Sequence, residues 1–167
     1  MSSPENKPGD LRLKLLLDSL DEAFDHKSWH GTNLRGSLRG VTVAEALWRP
    51  GARRNNAWEL ALHAAYWKYV VRRRVTGAKR GSFLLKGSNF FPRNAGSEKD
   101  WQLEVLLLEN EHRELRAAVE RLDPKVLDRE IGTRLTYAAL IRGAAAHDLY
   151  HAGQIQLLKR LRASWTA

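Results

Sequence analysis

The chain has 167 residues, 43% of them hydrophobic, which is enough for one domain with a substantial core. It contains no cysteine, so disulfides, thiolate metal sites and cysteine nucleophiles are excluded. Lys and Arg total 28 against 19 Asp and Glu, a formal net charge of +9 that raises the question of an anionic partner.

Residues 1–10 are polar, lack the apolar stretch of a signal peptide and read as a disordered lead-in to a single domain over 11–167. No apolar run has the length to span a membrane, and a cytoplasmic protein is expected. The first helix is predicted from Leu11 to Trp29, with Leu13, Leu16, Leu17, Leu20 and Phe24 on one stripe and Gly31 as the stop. The stretch to Asn55 carries a short helix at 42–47, closed by Pro50. Asn56 and Glu59 form a capping box for a second long helix, Ala57 to Thr76, which Gly77 ends. A long connection rich in Gly, Lys, Arg and Phe (Phe83, Phe90, Phe91) follows; it either returns the chain along the molecule or covers one end of it. The third helix is predicted from Glu98 to Leu122, with Val105, Leu108, His112, Leu115, Val119 and Leu122 inward. The fourth runs from Leu135 to Arg162 along the line Leu140, Ala144, His147, His151, Ile155, Leu158. No segment alternates with period two for long, so the chain is read as all-α, a four-helix bundle.

His147 and His151 are one helical turn apart, and side chains at i and i+4 project from the same face. Two such imidazoles can ligate one ion, and His63 on the second helix can complete a set that leaves a coordination position open. The alternative is a pair of core histidines satisfied by hydrogen bonds, since a buried imidazole needs some partner. His26 and His30 repeat the spacing, but at a predicted helix end, where cationic side chains favour the terminal carbonyls. His112 either approaches the site from the third helix or hydrogen-bonds across the core. Asp148 gives His-Asp-x-x-His, near the zincin pattern, though its side chain is one methylene shorter than the glutamate of that motif. Glu59 is read first as the capping residue and second as an acceptor for His63. Tyr150 and Gln154 flank His151 and either orient a substrate or face solvent.

The segments Trp58-Glu-Leu-Ala-Leu-His-Ala-Ala-Tyr-Trp67 and His147-Asp-Leu-Tyr-His-Ala-Gly-Gln-Ile155, with Trp29-His-Gly31 and Arg72-Arg-Arg74, resemble the DinB/YfiT-like superfamily of metalloenzymes. The resemblance spans nearly the whole chain from the first helix onward. It implies an up-down-down-up bundle with the long loop between helices two and three as crossover. It also implies a divalent ion, zinc or nickel, on His63, His147 and His151. The implied activity is thiol-dependent: a low-molecular-weight thiol, activated on the ion, transfers to a small electrophile. Arg53, Arg54, Lys79 and Arg80 are candidates to hold the carboxylates of that thiol. The alternatives are a metal-dependent hydrolase, with Asp148 or Glu59 as catalytic base, and a non-enzymatic metal-binding or nucleic-acid-associated bundle. The partners expected are a small-molecule substrate and a second copy of the chain as a homodimer, with neither membrane nor nucleic acid.

Overall fold

The computed structural model describes residues 10–132 and 134–165. Residues 1–9 of the expected lead-in lie outside the described residues, while Asp10 caps the first helix, accepting from the Arg12 and Leu13 amides. That helix, α1 (Leu11–Phe24), buries Leu16, Leu20 and Phe24 but stops five residues before the expected Trp29. The amides of Asp25 and His26 both donate to the Asp21 carbonyl, and the Asn33 side chain donates to the His26 carbonyl. Between Phe24 and Leu34 the sequence supplies no apolar residue to the core; Trp29 is 99% exposed. His26 and His30 therefore do not share a helix face.

A four-residue helix that the pattern does not announce, α2 (Leu34–Ser37), is capped by Asn33 and buries Leu34. The short helix α3 (Val43–Leu47) carries a Thr42–Glu45 capping box. Helix α4 (Ala57–Thr76) has its expected bounds, with the Asn56–Glu59 box at one end and Gly77 at φ 69° at the other. Helix α5 (Glu98–Glu120) stops two residues short of Leu122, and a 3-10 turn, Pro124–Val126, follows. Helix α6 (Tyr137–Trp165) begins after a bridge between Glu130 and Thr136, and the Thr136 hydroxyl accepts from the Ala139 amide. The described residues are all-helical, without a strand, and none of their helices is long and apolar enough to cross a membrane.

α4 packs against both α5 and α6, and α1 packs against the same two helices. Between α4 and α5, Trp58 lies edge-on to Trp101, their ring centres 5.2 Å apart, and Arg72 pairs with Glu111. Between α1 and α5, Arg116 pairs with Asp21 at 2.8 Å and His112 stacks on Phe24. Leu62, Leu108 and Ile155 are fully buried in one apolar cluster, and Leu20, Leu115, Val119 and Ile141 in a second. Each such side chain stabilises the fold by roughly 1.5–3 kcal/mol before entropy is subtracted. The rigidity of these layers fixes the separation of α4 and α6, and with it the geometry of their histidines.

Candidate metal centre

His63 comes from the second turn of α4, and His147 and His151 from the middle of α6. Small residues at Ala144, Ala145 and Ala152 keep the inward face of α6 low. The three Nε2 atoms face one another: His147 is 3.1 Å from His63 and 3.0 Å from His151. Among the described residues these three are the group that can hold a metal ion, their donor atoms all within 4.8 Å of one another.

The opposite ring nitrogens explain the orientation. His63 Nδ1 is 2.9 Å from the Asn89 carbonyl, which can only accept, so that nitrogen carries the proton. His151 Nδ1 lies 2.7 Å from Gln154 Oε1, and the Gln154 amide nitrogen donates to the Tyr150 hydroxyl. With their protons on Nδ1, His63 and His151 turn Nε2 lone pairs toward His147. A single proton on His147 Nε2 can satisfy one of them but not both. Facing lone pairs in a buried site are an arrangement that a cation would satisfy. Burial holds all three imidazoles neutral: it lowers His63, pushes His147 down to about 3 with help from His151, His63 and Lys68, and pushes His151 down to about 4.

The segment between α4 and α5 reaches this centre. Asn89 adopts φ 68°, a left-handed conformation that asparagine tolerates better than most residues. Its carbonyl holds His63 while its side-chain oxygen accepts from Trp67 Nε1 at 3.0 Å. Phe90 stacks on His63 with ring centres 4.0 Å apart and planes within 10°. Phe91 is buried in the apolar cluster instead, with Phe83 packed against it. The end of the segment is tied back by Arg93, whose amide donates to Glu59 and whose guanidinium pairs with Glu104.

A cavity of about 400 Å³ adjoins the centre, lined by His63, Trp67, Phe90 and His147 and by apolar residues of α6. Asp148 and Lys68 also line it and form a buried ion pair, 1% and 2% exposed. Asp148 Oδ1 has no hydrogen-bond partner, and burial outweighs the Lys68 ammonium, raising the carboxyl to about 6. Lys68 also approaches His112 Nδ1 at 3.3 Å and lies over the Phe24 ring. His112 is thus part of a buried polar layer beside the centre, not one of its three converging histidines.

Glu59 lies one turn before His63, but its oxygens accept from Arg49, the Arg93 amide and the Asn56 amide. Burial raises its pKa, and these donors outweigh burial, leaving it below the usual value. The acceptor for His63 Nδ1 is the Asn89 carbonyl, not Glu59. His26 pairs with Asp25 and His30 contacts Ser28, both exposed and outside the cluster.

A family model for the DinB superfamily matches residues 27–155, a span that contains all three histidines. The chain belongs to the DinB superfamily. No curated protein matches it. In this DinB-superfamily chain, Lys68 and Asn89 are site residues that sequence reasoning did not name, and Gln154, read there as orienting a substrate or facing solvent, contacts the His151 ring. Only Gln154 left a signal, sitting three residues after His151 on the same helix and so within reach of its ring.

Proposed function

We propose that His63, His147 and His151 hold one divalent ion, zinc or nickel, and that the chain is a metal-dependent enzyme acting on a small molecule. The observation that carries this reading is the set of three Nε2 atoms at 3.0 and 3.1 Å, two with their Nδ1 protons already committed to Asn89 and Gln154. A divalent ion there supplies Lewis acidity and lowers the pKa of a thiol or water that it coordinates. Three nitrogen ligands leave a position open, and the neighbouring 400 Å³ cavity is the space from which a second molecule arrives.

The thiol-dependent transferase is the preferred activity. The walls of that cavity, from Trp67, Phe90, Leu140 and Ala144, suit an apolar electrophile, and the segment at Asn89 and Phe90 excludes water from one side. In the transfer, sulfur bonds to the electrophilic carbon, the thiol proton is lost and the leaving group departs with its electron pair. Asp148 is assigned the role of proton acceptor, because it is among the residues lining the cavity, its Oδ1 has no hydrogen-bond partner and its carboxyl is raised to about 6. Glu59 is assigned to structure, since its oxygens are engaged by the cap and by Arg49. The helices are assigned the up-down-down-up arrangement over one domain, 11–167. Support comes from Trp58 beside Trp101 and Arg72 beside Glu111, which set α4 and α5 in the same direction.

The test is elemental analysis of protein purified without chelator or metal resin. One ion per chain is expected, with His147→Ala retaining helical content but no ion. Full metal retention by that variant would remove His147 from the ligand set. Turnover of an electrophile that requires added thiol would select the transferase over hydrolysis.

A further inference from the structure

A second, larger cavity of about 550 Å³ lies between the C-terminal half of α4 and residues 80–89. Arg73, Arg74, Arg80 and Lys86 line it together with Trp67 and Tyr69, and no acidic residue does. Elsewhere on α4 the basic side chains are paired: Arg72 with Glu111 and Glu114, and Lys68 with Asp148. Among the described residues, none of the four cations in this cleft has a carboxylate partner. Arg73 Nε is buried and has no hydrogen-bond partner at all.

The ordinary reason for arginines at a helix C-terminus is to satisfy the last carbonyls. That reason accounts for one long contact, Arg73 Nη1 donating to the Ala78 carbonyl at 3.4 Å, and not for the gathering of four cations. The Arg73 and Arg74 carbonyls already accept from the amides of Ala78 and Gly77 at 2.9 and 3.1 Å. Four cations gathered without a counter-charge repel one another, and a concave site concentrates their field.

We propose that this cleft binds a small organic polyanion, a molecule with two or more phosphate or carboxylate groups. Guanidinium groups match both oxyanions, and the Trp67 and Tyr69 rings give the rest of the molecule an apolar wall. A half-open cleft of this volume, walled by one helix and one loop, suits a small molecule, whereas a polymer backbone tracks an extended basic stripe. Trp67 and Asn89 border both this cleft and the cavity at the histidines, so the bound molecule lies beside the candidate metal centre. The proposal does not depend on an ion being there.

Calorimetric titration of metal-free protein at about 150 mM salt with pyrophosphate, and separately with citrate, tests it. One site per chain is expected, and the anion that binds tells phosphate chemistry from carboxylate chemistry. Arg73→Gln, and separately the exposed pair Arg80→Gln with Lys86→Gln, should each weaken binding about tenfold or more. Arg113→Gln with Arg121→Gln, at a different cavity, should leave it unchanged. His147→Ala should bind as the unaltered chain does, which keeps this result separate from the metal assignment. The proposal is overturned if neither anion binds, if the cleft variants bind like the unaltered chain, or if a single-stranded oligonucleotide binds more tightly than both anions.

Discussion

The sequence leaves Gln154 either orienting a substrate or facing solvent; in the structure it orients His151, whose Nδ1 lies 2.7 Å from its Oε1. Removing that acceptor frees the His151 ring to rotate and to move its proton to Nε2. Gln154→Leu should therefore weaken metal affinity by roughly 10–100-fold while leaving the fold intact. Competition against a chelator of known affinity measures it, and unchanged affinity would leave the contact without a functional consequence. His112 allows a test of pH at a site away from the three ligands. It is 4% exposed, faces Lys68, Arg116 and His26, and approaches Asp21 at 4.0 Å. Burial, then the Lys68 ammonium, pushes its pKa down to about 2. A depressed folded-state pKa means that the unfolded chain binds more protons below about 6.5, so the stability this group contributes is present above that pH and is lost on acidification. His112→Phe keeps the stack on Phe24 and removes the titration. Its midpoint difference from the unaltered chain should shrink between pH 7.5 and pH 5, and a constant difference would show that His112 does not titrate on unfolding.

Among the elements, the ends that carry explicit chemical signals were the legible ones. The Asn56–Glu59 box and Gly77 bound α4 in both sequence and structure. α1 has a polar tail whose helical spacing continued past the last residue with anything to bury, and it stops where burial stops. α2 was invisible because four residues with a glycine among them give no period to read. The three histidines were legible because two share a helix face and a third follows a capping box, but Asn89 was not. Its role depends on a left-handed turn that brings the backbone carbonyl onto His63, and sequence spacing does not encode such a contact. Nothing in the sequence marks Lys68 as buried, yet it is 2% exposed, because Asp148 arrives from α6 to neutralise it. The segment bearing Asn89 ends in a close approach: a Cβ on Gly96 would lie 2.5 Å from Trp58 Cη2. Trp58 is fully buried and its indole donates to Glu104, so the ring cannot easily yield. Gly96→Ala should cost about 1–3 kcal/mol, measured by denaturant unfolding; no change would mean that the segment end relaxes away from the ring.

For the molecule as a whole, the three proposed ligands belong to helices distant in sequence, so an ion held by them would clamp α4 to α6 only in the folded chain. The unfolded chain keeps His147 and His151 near one another but releases His63, 84 residues from His147. Binding that favours the folded state raises stability by about 2.7 kcal/mol when free metal is 100 times the dissociation constant. For a chain of this size, that energy corresponds to a rise of about 5–10 °C in thermal midpoint. Zinc or nickel added to chelator-stripped protein should produce such a rise, and calcium should not, because imidazole nitrogens suit the first pair and oxygen ligands the last. His63→Ala should abolish the shift although it leaves the His147–His151 pair intact, since the remaining pair lies on one helix and no longer joins two. A full shift in that variant would show that α6 alone binds the ion, and the open three-nitrogen centre between the helices would have to be abandoned.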